Sequence, residues 1–173
     1  FACTDCGVSI NDIEPRSFSF NNPYGACPEC SGIGYMMHFD EDLMIPDKSL
    51  SINEGAIAVY GWQAAHKKGS WANSVLEALS KEFNFSLDVP YESYPKEIRD
   101  LLLYGTDRSV TFYYEGRWGD RVHDLTFKGI ISSVEKYYRE TGSANSKQEF
   151  ESYMRITPCQ LCNGQRLKKE SLA

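Results

Sequence analysis

The chain has 173 residues, 42% hydrophobic and 13% aromatic, enough apolar side chain for a packed core and too much for a disordered polypeptide. Its formal net charge of −6 is uneven: residues 1–60 carry nine acidic and two basic side chains, the remainder 15 and 16. That balance argues against a strongly basic, free-standing nucleic-acid binder, and no apolar run is long enough for a membrane-spanning helix.

In chain order, residues 1–34 read as a small metal module with little regular structure. Pro15 to Phe20 alternates polar and aromatic residues, the pattern of a short strand with one buried face, and Asn21–Gly25 supplies a turn. From residue 35 the composition becomes that of an α+β domain, opening with a strand at Tyr35–Phe39 that the acidic run Asp40–Asp42 closes. Ser49 to Tyr60 predicts a strand or an irregular segment around Gly55. Residues 70–83 predict a helix, with Ser70 as N-cap and Trp71, Val75, Leu76, Leu79 and Phe83 on one stripe. Pro95 opens a second helix that Gly105 ends. Val110–Tyr114 and Val122–Phe127 predict a hairpin around Gly116–Gly119, and residues 130–141 and 146–156 predict two further helices.

The expected architecture is therefore α+β: a four-cysteine zinc module over 1–34, an inserted domain over 35–157 with several helices and a small antiparallel sheet, and a knuckle with a returning strand over 158–173. A domain inserted in this way has its two ends close together.

All six cysteines fall in Cys-x2-Cys pairs, which fits metal binding in a reducing compartment better than a secreted disulfide scaffold. Cys3 and Cys6 are followed, after 20 intervening residues, by Cys27 and Cys30, the arrangement of a tetrahedral Zn²⁺ site built from two tight turns. Four thiolates leave no open position for a catalytic water, so the metal is expected to be structural. A thioredoxin-type redox pair would sit between a buried strand and a helix, and neither pattern flanks these cysteines. Cys159 and Cys162 repeat the shape of the second pair after 128 intervening residues and read as half a site, with partners outside the chain or as free thiols. His38, His66 and His123 have no ligand-like spacing and read as surface or core histidines.

Arg117, Arg121, Lys128, Lys136 and Arg139, interleaved with Tyr113, Tyr114, Tyr137 and Tyr138, are the candidate DNA contacts. The cations would take phosphates and the rings would stack on bases. The same residues also read as an ordinary hairpin and helix with core aromatics and solvated charges, the reading that composition alone favours. There is no G-x-x-x-x-G-K-[ST] loop, no G-x-S-x-G elbow and no H-E-x-x-H, so no enzyme is expected in these residues themselves. The unpaired third knuckle, the start at Phe1 and the uncapped last residues lead us to expect a piece of a longer protein.

The string from Glu14 through Phe18, Asn21, Tyr24, Cys27 and Cys30 to Gly34 resembles the UvrA family, the damage-sensing subunits of bacterial nucleotide excision repair. The resemblance continues at Leu50-Ser51, Gly55-Ala56-Ile57 and Tyr137 to Thr141, and closes with Cys159 to Lys168. It departs from the family pattern at Lys128, where an acidic residue is common, and at Tyr137 or Tyr138, where an arginine is. The resemblance implies a cytoplasmic ABC-type ATPase that dimerises, recognises distorted double-stranded DNA and loads UvrB. It also implies that ATP and Mg²⁺ bind elsewhere in the longer protein, and that this segment is a zinc module with an insertion domain flanking the DNA. By the same resemblance Cys3, Cys6, Cys27 and Cys30 look like zinc ligands, and Cys159 and Cys162 like half of a module completed upstream of Phe1. A zinc-stapled spacer without DNA contact, or a DnaJ-like zinc chaperone module suggested by Cys27-x2-Cys30-x-Gly32-x-Gly34, are the competing expectations.

Overall fold

The computed structural model describes residues 14–116 and 119–172, with side chains undescribed at 115–121. Helices α1 (Glu41–Met44), α2 (Trp71–Glu82), α3 (Lys96–Tyr104), α4 (Ile130–Glu140) and α5 (Ala144–Glu151) combine with strands β1 (Tyr35–Phe39), β2 (Ser109–Gly116), β3 (Gly119–Thr126) and β4 (Met154–Pro158). The strands form two separate two-stranded sheets, β1 with β4 and β2 with β3. The fold is α+β with small sheets, as the sequence predicts. The chain divides into two compact units, one running up to His38 and resuming at Arg155, the other spanning Phe39–Met154.

In the larger unit, α2 forms where the apolar stripe places it. Ser70 accepts the Asn73 amide at its N-terminus and donates its own hydroxyl to Ala64, while Ala72, Val75, Leu76 and Leu79 are buried. Removing each large apolar side chain from water stabilises the fold by about 1.5–3 kcal/mol. Buried Asn73 is satisfied through its side-chain N–H to the Ala65 carbonyl, 2.8 Å away. Ser49–Tyr60 is irregular, closed by a capping box between Ser51 and Glu54 and turned at Gly55.

The hairpin keeps strict register, with Val110 opposite Leu125, Phe112 opposite His123 and Tyr113 opposite Val122. Strand alternation buries Val110 and Phe112, which with Leu125 and Phe127 meet Val75, Ala78 and Leu79 of α2. The opposite face leaves Tyr113 75% and Val122 61% exposed. α3 and α4 are set by two glycines at close backbone contact. A Cβ on Gly105 would lie 2.2 Å from the Phe127 carbonyl oxygen, and one on Gly129 would lie 2.3 Å from that of Leu103. Both have positive φ, so only glycine lets the segments approach this closely. Trp62 lies in the core with its indole N–H donated to Ser133 of α4 at 2.6 Å.

Two local expectations are corrected. Pro15–Phe18 is a short 3-10 turn, because proline pre-sets its first φ for a turn. The last helix ends at Glu151, and Met154–Pro158 leaves it as β4.

Candidate metal centre and basic surface

Cys27, Cys30, Cys159 and Cys162 are all buried, and their sulfurs lie within 4.8 Å of one another. The Cys27–Cys159 sulfur separation is 3.9 Å and the Cys30–Cys162 separation 3.8 Å. Zinc–sulfur bonds of ~2.3 Å at tetrahedral angles place sulfurs about 3.8 Å apart, so the four thiols fit such an ion. They are positioned to hold a metal and leave it no open coordination position.

This grouping corrects the partners expected from the sequence. Among the described residues Cys27 and Cys30 stand with Cys159 and Cys162, so the pair expected as a half site has partners positioned within this chain. Cys3 and Cys6 lie outside the described residues. Two knuckles far apart in the chain make one site only if the backbone brings them back together. Here the reversal is made by β4 running antiparallel to β1, with the Cys159 amide donating to the Gly34 carbonyl at 3.0 Å.

The two knuckles are copies of one another related by an offset of 132 residues. Gly34 N–H donates to Cys30 Sγ at 3.1 Å, and Arg166 N–H donates to Cys162 Sγ at 3.3 Å. Ile33 N–H donates to the Cys30 carbonyl, and Gln165 N–H to that of Cys162. Positive φ recurs at Ser31, Gly32 and Gly34, and again at Asn163, Gly164 and Arg166. Each knuckle also donates its first cysteine amide to the far end of the other: Cys27 N–H to the Arg166 carbonyl, and Cys159 N–H to that of Gly34. Amides aimed at sulfur favour the thiolate, the form that binds metal.

The thiols are electrostatically unequal. Burial resists ionisation of Cys30, but the Gly34 amide, the Cys162 and Cys27 thiols and the Gly32 amide bring it down to about 7. At Cys159 the Cys162 and Leu161 amides favour the thiolate, yet burial and the adjacent Cys162 and Cys27 thiols push it up to about 11. A metal ion entering here displaces the protons that the thiols share.

Tight backbone contact seats the preceding loop on the first knuckle. A Cβ on Gly32 would lie 1.9 Å from the Phe20 carbonyl oxygen, and one on Gly25 would lie 2.3 Å from that of Ser17. Arg166, which sequence reasoning passed over, donates Nε–H to the Gly32 carbonyl at 2.7 Å and lies over the Phe20 ring.

The candidate DNA contacts are spread over several elements. Arg117 lies outside the described residues, and Arg121 stands in β3 opposite Tyr114. Lys128 is exposed ahead of α4 and pairs with Asp107 at 3.7 Å. Lys136 and Arg139 are exposed on α4, where Glu135 and Glu140 are exposed as well. Tyr113 and Tyr137 present open rings, whereas Tyr138 is half-buried and donates its hydroxyl to Glu151 at 2.9 Å.

A model of the UvrA DNA-binding domain matches residues 40–152. The chain belongs to this family. Over all 173 residues it is 44% identical to UvrABC system protein A of Clostridium perfringens and 45% identical to that of Clostridium acetobutylicum. It spans 18% of the length of each. Among solved structures it is similar to UvrA2 from Deinococcus radiodurans, with a TM-score of 0.66 and 28% identity over 93% of this chain and 21% of that one. The UvrA match covers nearly all of the unit Phe39–Met154, and in the sequence one knuckle precedes it and the other follows it. No helix among the described residues is long and apolar enough to cross a membrane.

Proposed function

We propose that this chain serves the DNA-engaging step of bacterial nucleotide excision repair, as the zinc-stapled, DNA-flanking part of a cytoplasmic UvrA protein. The match of the UvrA DNA-binding domain to residues 40–152 carries this reading. Zinc, held by Cys27, Cys30, Cys159 and Cys162, has a structural role, tying together two knuckles far apart in the chain. Lys128, Lys136 and Arg139, with Arg117 and Arg121, take phosphates of distorted double-stranded DNA, and the insertion acts as a clamp beside the duplex. ATP with Mg²⁺, dimerisation and the UvrB contact belong to other parts of such a protein.

So few cations neutralise few phosphates, and binding is expected to be weak and steeply salt-dependent. The test is fluorescence anisotropy with a lesion-bearing duplex at two salt concentrations, comparing the chain with its Lys136→Glu, Arg139→Glu double variant. Affinity falling about tenfold with a shallower salt slope supports the contact surface. Undiminished binding removes α4 from it. No binding by either protein favours the spacer reading, which the mixed charge of Glu135, Lys136, Arg139 and Glu140 also supports.

A further inference from the structure

Arg166 occupies the position that Gly34 holds in the other knuckle, and both have positive φ, 73° and 92°. A side chain in left-handed backbone is strained, a cost that the glycine copy does not bear. The additional atoms of Arg166 all serve the opposite knuckle. Its Nε–H donates to the Gly32 carbonyl at 2.7 Å, and its guanidinium stands 4.1 Å from the centroid of the Phe20 ring. Its Cγ passes 2.7 Å from where a Gly34 Cβ would lie, so Gly34 is bare where the arginine stem crosses it. The Arg166 backbone meanwhile donates to Cys162 Sγ and accepts from the Cys27 amide. One residue thus touches both knuckles through backbone and side chain.

We propose that Arg166 is the positioning residue of the metal centre. Its side chain holds the Gly32–Gly34 turn against the second knuckle, so that the Cys30 and Cys162 sulfurs keep their tetrahedral spacing while the metal enters or leaves. Its positive charge offsets the excess negative charge of an ion held by four thiolates. The inference rests on reading the four cysteines as a metal centre.

The test compares zinc-loaded wild type with Arg166→Gly and Arg166→Lys, following zinc transfer to a chromogenic chelator and the absorption of the Co²⁺-substituted proteins. Arg166→Gly keeps the amide and relieves the left-handed strain, so any loss belongs to the side chain. Release is expected to be about tenfold or more faster in Arg166→Gly, with the Co²⁺ thiolate charge-transfer intensity unchanged because the ligand set is intact. A residue serving only the fold would lower the melting midpoint and leave release from the folded protein at the wild-type rate. Wild-type release from folded Arg166→Gly overturns the proposal. If that variant does not fold, Arg166→Lys decides: it keeps stem and charge but lacks the planar Nε–H, and wild-type release from it also overturns the proposal. A wild-type chain that holds no metal overturns the metal reading itself, a different result from retained metal with unaltered release.

Discussion

The sulfurs of Cys27 and Cys159 stand 3.9 Å apart although 132 positions separate them in the chain. The candidate centre is therefore a long-range contact whose parts are brought together where β4 pairs with β1, and a metal bound there would couple to folding of the smaller unit. Cys159→Ser should lose zinc as completely as Cys27→Ser, and Cys3→Ser should keep it. Zinc per chain after gel filtration measures this, with about one ion expected in the wild type. Retention by Cys159→Ser together with loss by Cys3→Ser would restore the partners expected from the sequence.

Gly129→Ala tests the backbone crossing beside α3. The added methyl meets the Leu103 carbonyl in left-handed backbone, and the loss of stability should exceed about 2 kcal/mol. Gly55→Ala, also at positive φ but with nothing within 4 Å of the new Cβ, should cost only about 1 kcal/mol. Urea denaturation of both variants gives the comparison, and equal losses would refute the close-contact argument.

Ser133→Ala leaves the buried Trp62 indole N–H without its acceptor. The expected destabilisation is about 1–3 kcal/mol, set by the unpaired donor rather than by lost packing. Thermal melting reads it, and Ser133→Thr, which keeps the hydroxyl, should recover most of the loss.

Alkali should unfold the larger unit through its tyrosines. Burial, then the charge of Asp88, pushes the Tyr94 hydroxyl up to about 12 while it donates to the Ser86 carbonyl. Burial and then the Glu41 carboxylate push fully buried Tyr91 higher still. A free tyrosine ionises near pH ~10, so unfolding releases protons that the fold retains. The stability these groups contribute is complete below about pH 10 and is lost as pH rises from there through about 12. Tyr94→Phe should make the alkaline transition shallower, as followed by circular dichroism between those limits.

Much of the larger unit is legible from local pattern: Ser70 caps α2, Pro95 and Gly105 bound α3, and the alternation at Val110–Tyr114 marks a strand. What local pattern misses are decisions made at a distance. The 146–156 segment reads as one helix because the partner that pulls Met154–Pro158 into a sheet, β1, lies far upstream. Cys27 and Cys30 read as partners of the nearest cysteines for the same reason. A signal was nonetheless present: Cys27 to Gly32 and Cys159 to Gly164 share Cys-x2-Cys-x-Gly, whereas Cys3-x2-Cys6 continues as Gly7-Val8. Matching knuckles point to each other when their turns must present equivalent amides to one ion. Arg166 left no such mark, since a left-handed arginine is invisible in a sequence.

The Asp40 amide donates to the Tyr153 carbonyl at 3.0 Å, so the chain enters and leaves the larger unit at neighbouring points. To the polypeptide on either side, that whole unit is equivalent to the tip of a hairpin. A short turn could replace it, because a folded unit whose ends already meet adds little flexible chain to the closure that the knuckles must make. The unit is thus exchangeable in design while the cysteines that frame it stay in place.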